Sequence, residues 1–138
     1  MGADLAALVA SPHFKWMPGM AGIDVNGDRW RLYHDGNHRH PRWANEYSLR
    51  MHAWEIRLDM RPDLTDPATI GCLEAMAAEA WDDPLLFVAN HIINDGLPHW
   101  CVFTVGYGGG PVTHDPAKGD ALALAILAAP PPEVGDAT

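Results

Sequence analysis

The chain reads as an α+β protein: an antiparallel sheet of about five strands, two main helices on one face, and a short helix at the N-terminus. Three observations predict this class. Residues 67–81 and 116–129 each open on the proline of an Asp-Pro dipeptide and carry apolar side chains at helical spacing. Residues 23–33 and 85–107 set β-branched and aromatic side chains on either side of Asn26-Gly27 and Asn94-Asp95-Gly96, the turn chemistry of hairpins. The 138 residues are 48% apolar and 20% charged, which suits one ordinary domain of roughly 100 to 200 residues and leaves little room for disorder.

Taken in order, Asp4 ahead of Leu5, Leu8 and Val9 is an N-cap before one apolar stripe, and Ser11-Pro12 stops that helix because a residue before proline leaves the helical region. Trp16–Met20 is a connector. Ile23-Asp24-Val25 and Arg29–Tyr33 pair as a hairpin about Asn26-Gly27, a dipeptide that tolerates positive φ at both turn positions. Residues 35–50 follow neither period and read as a long loop, and loops of that length are uncommon unless functional or mobile. Trp54, Ile56 and Leu58 then alternate with Glu55 and Arg57 as a half-buried strand.

Asp66 caps the central helix and Pro67 sits at its first position, where a missing amide hydrogen costs nothing. Ile70, Leu73, Ala77 and Ala80 form its stripe, with Glu74 and Glu79 lying off it. The apolar run Leu85–Ile93 and the segment Trp100–Tyr107 make a second hairpin, and Asp115-Pro116 opens a last helix with the stripe Leu122, Ala125, Ile126 and Ala129. Leu73, Trp54, Ile56 and Trp100 are expected in one core. The domain spans 1–130, and 131–138 is a flexible tail. Asp66-Pro67-Ala68 and Asp115-Pro116-Ala117 echo each other behind paired strands. Two ββα units or a merely common helix start both explain the echo.

Eighteen acids against nine bases give a charge of −9. All seven arginines fall between 29 and 61, where four acids leave +3, so the remainder carries −12. Phosphate affinity comes from Lys and Arg, so nucleic acid is an improbable partner overall. No apolar run reaches the roughly 20 residues of a membrane span, and no basic region with an apolar stretch and cleavage site opens the chain. The expectation is a soluble, unexported protein with no membrane contact. Cys72 and Cys101, each in an apolar context, are expected as reduced thiols.

One constellation stands out for chemistry. His34, His38 and His40 lie at i, i+4 and i+6 in the long loop, with Asp35 and Glu46 near enough in sequence to complete a divalent-metal shell. No cysteine accompanies them and no H-E-x-x-H helix follows, so an exposed His-rich loop is the plainer reading and no cofactor is expected. Around the loop, Arg39, Arg42, Trp43 and Tyr47 are candidates for a partner contact, and the Arg- and Trp-rich segment 29–61 is the place where a nucleotide or nucleic acid would be gripped. Arg29 and Arg31 alternating with Trp30 and Leu32 equally describe the outer face of a half-buried strand. Neither Ser11 nor Ser48 sits in a G-x-S-x-G elbow, and Gly106–Pro111 lacks the Gly-Lys-Ser/Thr of a P-loop. Asp82-Asp83 read as turn formers.

Phe14-Lys15-Trp16-Met17-Pro18-Gly19-Met20 after a short Leu-rich helix, then Asp66–Met76 with Trp81 beyond, resembles small uncharacterised accessory proteins of tailed phages and prophages. The resemblance covers about half the chain and leaves out His34–Leu49. It implies a phage-type accessory protein in the cytoplasm of a bacterial host, and it carries no site residues or activity across. The sequence therefore points to a non-enzymatic protein-interaction module, directed at a host or defence protein in one version, with room for an oligomer. Its rivals are a metal-binding protein or metal-dependent enzyme at His34, His38 and His40, and a nucleotide contact through 29–61.

Overall fold

The computed structural model describes residues 3–34, 42–46, 51–52, 60–92, 96–105 and 110–131. Its element order is α1 (Leu5–Ala10), β1 (Ala21–Ile23), β2 (Arg29–Tyr33), β3 (Arg42–Asn45), β4 (Met51–His52), β5 (Arg61–Pro62), α2 (Pro67–Ala80), β6 (Phe87–Ile92), β7 (Pro98–Phe103), β8 (Thr113–Asp115) and α3 (Lys118–Ala128). The α+β class holds. The strands, however, form two antiparallel sheets instead of one: β4-β3-β2-β1-β5 and β6-β7-β8. The chain divides accordingly into two compact units, Trp16–Cys72 and Met1–Lys15 with Leu73–Thr138. A sheet followed by a helix occurs in both, yet among the described residues one sheet has five strands and the other three, so these strands do not match one for one.

In the 16–72 unit, β2 alternates as a half-buried strand must. Trp30 and Leu32 are buried, while Arg29, Arg31 and Tyr33 face the other way. Trp43 and Met60 join that core, with Trp16 set edge-on to Trp43 at 5.1 Å between ring centroids. The first hairpin is real, but its turn differs from expectation. Asp24 O accepts Gly27 N, Asp24 N donates to Asp28 O, and Gly27 alone takes a positive φ, +86°, so Asn26 stays outside the left-handed region. Asp24 explains the choice: its Oδ1 accepts both Asn26 N and Asp28 N at 2.9 Å, and its Oδ2 accepts Trp30 Nε1 at 2.9 Å. The 35–50 stretch also contains a strand, β3, which pairs with β2 from Trp30↔Asn45 to Tyr33↔Arg42. Its four residues put a polar Asn45 on the buried side, which hides the alternation from a hydropathy pattern. Trp54 and Ile56 lie outside the described residues.

In the other unit, Asp4 caps α1 as expected, its Oδ1 accepting Ala7 N at 3.1 Å, and Ser11 ends the helix in an extended conformation. Helix α3 packs on β7 and β8, and α1 on α3. Six residues cannot hold a helix alone, and α1 is held there by buried Leu8 and by Ala3 N donating to Asp120 Oδ1. Thr113 Oγ1 donates to Ala121 O at 2.9 Å, and the Lys118 ammonium lies 5.3 Å from the centre of the Trp100 ring. Leu73, Met76 and Ala77 of α2 are buried, with Leu122, Ala125 and Ile126 of α3.

The two Asp-Pro sites part company. Asp66 caps α2, its Oδ2 accepting Thr69 N at 2.9 Å. Asp115 does not cap α3: it ends β8 opposite Trp100, and its Oδ1 accepts Ala117 N in a turn that precedes the helix. Pairing with β7 claims the Asp115 backbone, so α3 begins at Lys118 with no side-chain cap.

Candidate interaction surface

Of the residues singled out in the loop, His34 is exposed just after β2, while Arg39, Tyr47, His38 and His40 lie outside the described residues. Arg42 is half-buried on β3. Trp43 is not a partner contact: β3 turns it inward against Trp16, and it is 1% exposed. Among the described residues, no three His, Cys, Asp or Glu side chains converge as they would around a metal ion.

Arg29 and Arg31 are engaged with carboxylates. Arg31 grips Asp66 with both ends of its fork, Nη2 to Oδ1 at 2.8 Å and Nη1 to Oδ2 at 3.1 Å, and also donates to Gly19 O and to Glu46 Oε2. Arg29 reaches Asp66 Oδ1 at 2.6 Å, Asp63 Oδ2 at 3.1 Å and Glu46 Oε1 at 2.7 Å. Two guanidinium groups thus face three carboxylates, a surplus of negative charge that is poor ground for phosphate. Arg31 holds the Asp66 carboxyl well below the usual carboxylate range, helped by the amide and hydroxyl of Thr69 and opposed by burial. Asp66 in return raises the Arg31 guanidinium above its ordinary value. Thr69 Oγ1 also accepts Ala21 N at 2.8 Å, so the cap of α2 is tied to β1 as well as to β2. The cysteines are free, and burial pushes both thiols up.

A cleft in the second unit is lined by Phe14, Lys15, Glu79, Trp81 and Asp82 among others. Its polar groups are largely occupied: Lys15 pairs with Glu79 at 3.6 Å, Trp81 Nε1 donates to Ala125 O at 2.8 Å, and His13 Nε2 bonds Pro130 O at 2.6 Å. Asp82 turns the chain out of α2 with a φ of +51°, unusual for a residue with a side chain.

Strand β6 is different. It is an edge of the three-stranded sheet and, among the described residues, pairs with β7 alone, from Phe87↔Phe103 to Ile92↔Pro98. From Pro84 to Ile92 it carries no Asp, Glu, Lys or Arg. Phe87 is 54% and Ile92 74% exposed, and Leu85 and Leu97 beside them are exposed as well. Phe87 stacks on Phe103 at 4.9 Å, and His91 stands edge-on to that same ring. His91 lies opposite His99, whose Nδ1 is 3.1 Å from Nδ1 of His114 on β8, so one sheet face carries histidines on all three strands. Sequence reasoning missed this grouping. Counting outward from the Asn94-Asp95-Gly96 turn sets His91 opposite His99, but β8 was not foreseen.

No helix among the described residues is long and apolar enough to cross a membrane. Compared with protein-family models, curated proteins and solved structures, the chain matches none.

Proposed function

We propose that the chain is a non-enzymatic protein-interaction module of phage type, acting in the cytoplasm of a bacterial host, and that strand β6 is where it meets its partner. The observation that carries this reading is the edge itself: six residues of extended backbone, uncharged, with Phe87 and Ile92 exposed. Proteins commonly guard such an edge with lysine, proline or a bulge, because its open N–H and C=O groups template pairing with another chain. Left unguarded, it accepts an extended segment by backbone hydrogen bonds, and alternate side chains supply the choice. The engagement of Arg29 and Arg31 by Glu46, Asp63 and Asp66 favours this edge over the arginine segment as the contact.

Photo-crosslinking amino acids placed at Asn90 and Ile92, with exposed Val25 as control, test the reading in bacterial cells. Adducts are expected from 90 and 92 and not from 25. The adducted protein, identified by mass and rebuilt with purified components, should bind Asn90→Lys about tenfold more weakly, equivalent to about 1.4 kcal/mol. Absence of adducts at both β6 positions, or a rebuilt complex indifferent to Asn90→Lys, removes the proposal.

A further inference from the structure

We infer that the partner at β6 is a second copy of this chain, paired antiparallel so that two three-stranded sheets join into one sheet of six. This rests on the reading of β6 as the docking edge and adds its occupant.

Charge is the first argument. The chain carries a net −9, so two copies repel on approach, but the stretch 84–92 holds no carboxylate, ammonium or guanidinium. Two copies can approach there without setting like charges opposite each other. A partner recognised by charge would find nothing on β6 to pair with.

Self-complementarity is the second. A two-fold axis through an antiparallel pair stands perpendicular to the sheet, so it matches residues whose side chains share a face. Centred on Asn90, the pairing sets Val88 against Ile92 of the partner subunit and Ala89 against His91 of the partner subunit, while Asn90 meets Asn90 of the partner subunit. Aliphatic lies on aliphatic, small on large, and each carboxamide offers both the donor and the acceptor that its copy requires. Centring on Ala89 instead sets Val88 against Asn90 of the partner subunit, an apolar group on a polar one. An Ala89 centre also brings Leu86 against Ile92 of the partner subunit, but it leaves each carboxamide facing an aliphatic side chain, so the Asn90 centre is the better match.

Exposure is the third. Ile92, at 74%, is among the most exposed large apolar residues described, and the favoured register covers it twice, once on each copy. Asn90 and Ile92 are exposed, so both can be replaced without disturbing the core.

Sedimentation equilibrium and light scattering of the full chain over a concentration series provide the test. The wild type should approach twice the 15.1 kDa chain mass. Asn90→Lys and Asn90→Asp each put like charges together at the two-fold axis and should sediment as single chains, with circular dichroism unchanged and a cooperative melt that no longer rises with protein concentration. Mixed in equal amounts, they should recover the dimer, since an ammonium then meets a carboxylate. If either variant misfolds, Ile92→Lys replaces it, with a single-chain mass again expected. A wild type that stays single at all concentrations, a dimer indifferent to these variants, or a mixture that stays single overturns the dimer. A single-chain wild type that still crosslinks through Asn90 to another protein overturns the dimer alone. A single-chain wild type with no adducts overturns the interaction reading as well.

Discussion

The two units are held together by different chemistry. In residues 16–72 charged side chains tie element to element: Asp66 joins α2 to β2 through Arg29 and Arg31, and Thr69 joins it to β1. In the other unit the ion pairs are long and partly exposed, Lys15–Glu79 and Lys118–Glu74 at 3.6 Å, while Thr113 and Trp81 donate to Ala121 O and Ala125 O of a helix α3 that is apolar on nearly every side. The first unit should thus be sensitive to pH and to loss of one carboxylate, the second to lost volume. The contrast also explains where apolar surface is left over. Carboxylates and arginines cover the outer face of β2, whereas β6 has no such cover among the described residues.

The largest effect that would break this comparison is at Asp66. Asp66→Ala removes the α2 cap and the shared partner of two arginines, and should cost about 4 kcal/mol in urea unfolding. The same carboxyl carries an acid dependence. Its folded pKa lies below its unfolded one, so its contribution is complete above about pH 4 and is lost progressively as pH falls below that range. Asp66→Ala should therefore lose most of its deficit in strong acid. Leu122→Ala, fully buried in α3, should cost about 3 kcal/mol by leaving a cavity, and by the same amount at either pH. Equal acid sensitivity of the two variants would erase the distinction.

Gly22→Ala comes next. An added Cβ would sit 2.7 Å from Met60 Cγ and 3.3 Å from Trp16, and making room should cost about 2 kcal/mol. Trp81→Phe deletes the bond to Ala125 O and should cost about 1 kcal/mol, read from the shift in melting temperature. Asp115→Ala should be smallest, about 0.5 kcal/mol, because its side chain closes a turn and caps no helix. A cost matching that of Asp66→Ala would restore the equivalence that the Asp-Pro repeat suggests.

Much of this was legible. Asp4 and Asp66 cap as their sequence context requires, α2 runs from Pro67 to Ala80, and both hairpins form. What escaped were the short strands. Arg42–Asn45 and Thr113–Asp115 are too brief for periodicity to register, and each exists because a neighbouring strand offers it a ladder. That is a fact of tertiary pairing, which local composition does not contain. The same limit explains β6. An apolar run predicts a strand, but whether a neighbour lies along both of its sides depends on residues far away in the sequence. Trp43 errs in the opposite direction, since an aromatic among arginines and histidines looks available until β2 is laid beside it.

The interrupted unit has a consequence for how the protein is made. Residues 1–15 leave the ribosome ahead of the rest of their unit, yet the helix they form packs on α3, which is translated only after the whole of 16–72. At roughly 5–20 residues per second, Asp4 to Ala10 waits several seconds for the surface it needs, while everything in 16–72 has been synthesised and can close in the interval. Order of birth and order of completion are therefore inverted. A chain stalled before Lys118 would display a finished middle and an unattached beginning, with Leu8 open to whatever the cell's chaperones or proteases make of it.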